Sequence, residues 1–164
     1  MILAIDPGYE QSAFVGYHDK TVEFHYTMPN TDLLDFLRAS PDWATGTLVI
    51  EKVEAMGMAV GREVFETVFI AGRFAEAWHP ASVHRLGRRA IKLHLCGHAR
   101  ATDANIRQAI IDRFGPTKAE AIGTKKAPGP LYGLKGHEYA ALAVALTYSD
   151  QLVGQTAPES EMPF

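Results

Sequence analysis

Met1-Ile2-Leu3-Ala4-Ile5-Asp6-Pro7-Gly8 begins with an uninterrupted apolar run that stops at an acid and then at Pro-Gly. Apolar residues without alternation fit a strand covered on both faces, and Pro-Gly ends it. Residues 12–17 read as a second strand and His18-Asp19-Lys20 as a turn. Residues 21–27 alternate, with Val22, Phe24 and Tyr26 on one face and Glu23 and His25 on the other. Hairpin-linked strands following the first predict an antiparallel meander.

Asn30 or Thr31 caps a helix carrying Leu33, Leu34, Phe36 and Leu37, closed by Pro41. Residues 47–50 form a fourth strand that ends at Glu51. A long helix is expected over 59–78, with Val60, Val64, Val68, Ala71 and Ala75 at helical spacing and Pro80 after it. Phe65, Phe69 and Phe74 widen its apolar surface, so it is deeply buried or part of a subunit contact. A fifth strand at 82–86 leads into a basic turn and helix over 87–95. Another helix covers 103–114, with Ile106, Ala109, Ile110 and Phe114 inward and Gly115-Pro116 as its stop. Residues 115–136 are rich in Gly, Pro and Lys and read as a functional or mobile loop. A last helix runs over 137–150, packing through Ala140, Ala141, Val144 and Leu146, and 151–164 is a flexible tail. This order predicts an α/β fold with helices on both faces of a five-stranded mixed sheet, in one domain over 1–150.

The 164 residues are 47% apolar and 21% charged, which excludes wholesale disorder. No apolar run reaches membrane-spanning length, and the first residues lack a basic stretch, so no secretory signal is expected. Cys96, the single cysteine, has no disulfide partner in the chain, which suits a reducing cytoplasm. The net charge of -3 conceals a division: His84 to Lys135 holds eleven Lys and Arg against three acids, so the remainder is strongly acidic. Such a zone either attracts a polyanion or is an ordinary solvated face.

If the strands ending at Asp6 and Glu51 are parallel neighbours, both carboxylates emerge at one sheet edge. Close, partly buried carboxylates repel and favour a cation, and hard oxygen ligands select Mg²⁺ or Mn²⁺. The alternative is structural: Asp6 opens a turn with Pro7-Gly8, and Glu51 is a solvated strand end.

The combined pattern resembles the RuvC-type Holliday junction resolvases of the ribonuclease H-like superfamily. Ile2 to Tyr9 is similar to their first strand and Leu48 to Val53 to their second acidic motif. Thr67 to Ala75 is similar to the long helix that follows, and Ala90-Ile91-Lys92 with Gly97 to Gln108 to the basic turn and next helix. His137 to Thr147 is similar to the last helix. The match spans most of residues 1–148 in the family's order, and the Lys125-Lys126 loop and compact length resemble the bacteriophage-encoded branch. Each motif alone is weak; their order is specific.

The resemblance implies a three-layer ribonuclease H-like fold and a Mg²⁺-dependent endonuclease acting on four-way junctions and other branched DNA. It implies two metal ions per site, with Mn²⁺ able to substitute, and a homodimer in the cytoplasm of a bacterial host. Asp6, Glu51 and His137 stand at the family's metal-ligand positions, and Lys92 at a basic residue beside the scissile phosphate. The fourth ligand position falls on Ala140, where members often carry Asp. Asp103 is the candidate substitute, its plainer role being a helix cap; Glu138 points away from the face of residue 140. The implied mechanism has metal ions about 4 Å apart activating water and stabilising the leaving 3′ oxygen. Asp6 would bridge them, Glu51 would hold one and His137 the other or the nucleophilic water, and the implied products are a 5′ phosphate and a 3′ hydroxyl. Arg85, Arg88, Arg89, Arg100, Lys125 and Lys126 are candidates for DNA-backbone contacts. Tyr9, or Phe65 or Phe69 near the Met56–Met58 loop, is a candidate wedge at the crossover, the phenylalanines being read rather as core, and the apolar 54–59 loop is a candidate contact to unstacked bases. The competing readings are a junction-binding protein that does not cut, and a flap or hybrid nuclease on the same fold.

Overall fold

The computed structural model describes residues 1–39, 46–55, 57, 59–78 and 82–156. Pro41, Met56, Met58, Pro80 and the tail beyond 156 lie outside the described residues.

β1 (Ile2–Asp6) is the central strand because Leu3, Ala4 and Ile5 are buried on both faces. β2 (Gln11–His18) and β3 (Thr21–Pro29) return antiparallel, as the meander predicts. Asp19 and Lys20 form their turn with φ of 46° and 65°, the sense that suits a two-residue hairpin. After α1 (Asn30–Ala39), β4 (Thr47–Lys52) pairs parallel with β1, with Ile5 opposite Ile50. α2 (Arg62–Ala77) crosses to β5 (Val83–Gly87), parallel to β4, completing the order β3-β2-β1-β4-β5.

α3 (Arg88–Cys96), α4 (Asp103–Phe114), α5 (Lys118–Ile122) and α6 (Glu138–Thr156) complete the chain. Strand alternation sorts the core into two layers. Ala4, Ala13, Val15 and Val49 face Ile106, Ile110 and the apolar residues of α6. Leu3, Ile5, Phe14, Leu48 and Ile50 face Leu33, Leu34 and Leu37 of α1 and Ile70 and Phe74 of α2. Among the described residues no helix is long and apolar enough to cross a membrane.

Several expectations are corrected. β3 does not put Val22 and Phe24 on one face: a register shift beside Gly16 and Tyr17 leaves Glu23 unpaired, and the strand changes face there. Val22 packs on the α6 side, Phe24 on the α1 side. Gly16 is required at this point, since a Cβ there would lie 2.4 Å from the Phe24 ring.

α2 starts at Arg62, so Val60 precedes it, and the buried stripe is Ile70, Phe74 and the following Trp78. Phe65, Val68 and Phe69 are exposed rather than core. Residues 115–136 are not a plain loop. They contain α5, a turn in which Thr124 and Ala127 exchange backbone hydrogen bonds, and buried Leu131 and Leu134. α6 continues through residue 150 to Thr156.

Candidate functional site: a carboxylate cluster at the ends of parallel strands

Ala4 and Val49 face the α6 layer, so two residues on, Asp6 and Glu51 face it too, at the carboxyl ends of adjacent parallel strands. The Asp6 turn is fixed from below. Gly8 N donates to Ser12 Oγ, Ser12 Oγ donates to buried Asn30 Oδ1, and Asn30 Nδ2 donates to Gly8 O. Asn30 therefore ties down the turn. A Cβ on Gly8 would lie 2.4 Å from Gln11 O, so only glycine passes here.

His137 immediately precedes α6, and its Nδ1–H donates to Asp6 Oδ2 at 2.8 Å. The ring is 82% exposed, so its other nitrogen, Nε2, is open to solvent. Glu138, next in sequence, is buried and turned away toward β3. It accepts from His25 Nδ1 at 2.8 Å, Thr27 Oγ1 at 3.2 Å and Lys135 N at 3.2 Å. This anchors the start of α6, and with it His137. Glu138→Ala is expected to cost about 2–3 kcal/mol in denaturant unfolding, because those donors lose a buried acceptor. Unchanged stability would show that they find water instead.

The Arg88 guanidinium, at the start of α3, donates through one terminal nitrogen to Glu51 Oε1 at 2.8 Å and through the other to Asp103 Oδ1. Thr102, not Asp103, caps α4, in a capping box with Asn105. Asp103, the first residue of the helix, is free to meet Arg88. Ala140 lines a cavity of about 400 Å³ together with Arg88, Asp103, Arg107 and His137. A second cleft, of about 210 Å³, is lined by Asp6, Glu51, Glu54, Thr67 and Arg88.

Burial pushes the Asp6 carboxyl above its ordinary pKa, against the pull of the His137 hydrogen bond. Burial also raises Glu51, and the charge of Asp6 adds to this while Arg88 opposes it. Among the described residues no three His, Cys, Asp or Glu side chains are assembled as a metal cage. Half-buried Asp6 and buried Glu51, two carboxylate oxygen donors lining one cleft, fit a hard divalent cation as a pair, with the exposed His137 ring hydrogen-bonded to Asp6.

Of the residues singled out in the sequence, Asp6, Glu51, His137, Arg88 and Asp103 come together. Lys92 lies one turn after Arg88 on α3. Arg85, Arg89, Arg100, Lys125 and Lys126 are exposed without an ion-pair partner among the described residues. Arg113 pairs with Asp150, and Arg107 lies over the Tyr139 ring at 4.8 Å, so part of the basic zone is already engaged. Sequence reading missed Arg88 as a member of the carboxylate cluster. Its only signal is its place one residue beyond a third parallel strand. Glu54 was also missed: it lines the cleft from an irregular loop and pairs with Lys52 at 2.7 Å, and no periodicity marks it.

Sequence comparison finds no matching protein-family model and no matching curated protein. Structure comparison does find matches. A Thermus thermophilus RuvC structure superposes with a TM-score of 0.64 at 16% identity, covering 94% of this chain and 96% of that one. T. thermophilus RuvC in complex with a Holliday junction substrate matches with a TM-score of 0.59 at 18% identity, over 94% and 96% of the two chains. With its 3-2-1-4-5 mixed sheet between helical layers, the chain has the ribonuclease H-like α/β fold and is structurally similar to RuvC.

Proposed function

We propose that this protein is a divalent-metal-dependent endonuclease that resolves four-way DNA junctions. The observation that carries the reading is the placement of half-buried Asp6 and buried Glu51 at the ends of adjacent parallel strands, both raised in pKa by desolvation. Asp6, Glu51 and His137 would hold Mg²⁺, or Mn²⁺ in its place. When bound, such an ion polarises the phosphate and lowers the pKa of water. Asp6 orients the His137 ring through Nδ1. Lys92 offers a positive charge to the phosphate from the Arg88 side of α3. Arg85, Arg89, Arg100, Lys125 and Lys126 supply phosphate contacts that hold the duplex without reading its sequence, so affinity should fall steeply with salt. Asp103 acts through Arg88 in this reading. The Lys125-Lys126 turn is the feature behind assigning the chain to the phage-type branch.

Cleavage of a synthetic four-way junction in Mg²⁺ and in Mn²⁺, beside flap and RNA–DNA hybrid substrates, tests the reading. Paired cuts in the junction support it, and preference for flap or hybrid overturns the substrate. Tight junction binding with no cleavage in either metal would favour the second reading, a junction-binding protein that does not cut. Ala140, which brings no donor atom to its cavity, is the observation behind that alternative.

A four-way junction presents two equivalent strands, which suits a two-fold dimer. Phe65 and Phe69 of α2 are 65% and 64% exposed, an apolar face that a second copy would cover. Sedimentation equilibrium at micromolar protein is expected to give a dimer; monomer alone would remove this part of the proposal.

A further inference from the structure

We propose that Arg88 takes the place of a second metal ion, so that the site binds one divalent cation and not two. This rests on the metal-dependent reading above and concerns how that site is neutralised. The guanidinium lies between carboxylates from two elements, Glu51 at the end of β4 and Asp103 at the start of α4. A bridging cation would occupy such a position, and this one is covalently part of the chain. Arginine keeps its charge throughout the working pH range, so no change of protonation vacates the position. It is also held: its own helix begins at Arg88, directly from β5, and the side chain is only 31% exposed.

Charge supply is limited. Asp6, Glu51 and Asp103 carry three negative charges against Arg88 and against Arg107, which lines the same cavity as Asp103, while Glu54 is offset by Lys52 at 2.7 Å. A single divalent ion already matches or exceeds the negative charge that remains. A second ion would leave excess positive charge in a partly buried cleft, which a low-dielectric setting penalises. Ligand supply points the same way. Glu51 Oε1 and Asp103 Oδ1 are both engaged by the guanidinium, and Ala140 adds no oxygen to the cavity it shares with them. The absent carboxylate and the inserted guanidinium are two sides of one arrangement: without a fourth acid, the site holds one cation fewer.

The test counts ions without relying on turnover. Mn²⁺ is titrated into the metal-free full-length protein, with bound equivalents read by calorimetry and spin coupling by electron paramagnetic resonance. Wild type is expected to bind one equivalent with an uncoupled six-line spectrum. Arg88→Ala opens the position beside Glu51 and Asp103 and should admit a second equivalent with a coupled spectrum. Ala140→Asp adds a carboxylate to the same cavity but keeps Arg88, and should still bind one equivalent; a second equivalent there would show that the missing carboxylate, and not Arg88, sets the number. It serves as an independent arm if Arg88→Ala fails to fold. Two coupled ions in wild type or in Ala140→Asp, or one equivalent in a folded Arg88→Ala, would overturn the role of Arg88 and leave the nuclease reading standing. No Mn²⁺ binding by any of the three would overturn the metal-dependent reading itself, and this inference with it.

Discussion

Asp6→Asn is expected to lower junction cleavage by about 10³-fold while leaving junction affinity nearly unchanged. The substitution removes one anionic oxygen at the strand edge and touches none of the exposed bases proposed to hold DNA. Asparagine Oδ1 still accepts from His137 Nδ1, so the ring stays in place and the loss reports on charge. Single-turnover cleavage and a gel-shift measurement on the same junction separate the two effects. Cleavage at the wild-type rate would end the assignment.

The same variant carries a stability signature in chelator. Burial holds the Asp6 carboxyl above its ordinary value, and Glu51 moves in the same direction. A folded-state pKa above the unfolded one means that ionisation is less favourable in the native protein. The contribution to stability is therefore full below the unfolded pKa, and it is lost as pH rises through the folded pKa. At neutral pH metal-free Asp6→Asn should melt above wild type, and the gap should close toward about pH 4, where the wild-type carboxyl is protonated. Mg²⁺ should raise the wild-type Tm at neutral pH and leave the variant where it was. A Tm difference constant across that range would mean that the Asp6 charge costs the fold nothing.

Phe74→Ala is expected to destabilise the protein by about 3–5 kcal/mol, the range for emptying a filled aromatic site. Phe74 is fully buried among Leu33, Leu34 and the inward residues of β1 and β4. Phe69→Ala, on the opposite side of α2, should fall within about 0.5 kcal/mol in dilute urea unfolding. At higher protein concentration its effect should appear as weaker self-association. Equal costs for the two substitutions would contradict the orientation of α2. Orientation is what periodicity alone misassigned. Val60, Val64 and Val68 share a helical stripe, but so do Ile70, Phe74 and Trp78, and a helix apolar on both sides gives no sequence signal for which side meets the sheet.

Local pattern alone determined the strand and helix order apart from α5, because burial on both faces, hairpin alternation and Pro-Gly stops are written in neighbouring residues. It also marked Asp6 and Glu51 as strand-end acids, whereas His137 and Ala140 were singled out only by the resemblance to the resolvases. The break in β3 was not legible, since a bulge is fixed by the partner strand and by the Phe24 ring lying over Gly16. The carboxylate cluster was only half legible for a similar reason. Asp6, Glu51, Arg88, Asp103 and His137 come from five segments, and only the parallel pairing of β1 with β4 and β4 with β5 brings their ends to one edge. That Arg88 turns inward to two carboxylates, and not outward to solvent, depends on contacts up to 37 residues apart in the chain, which no local periodicity records.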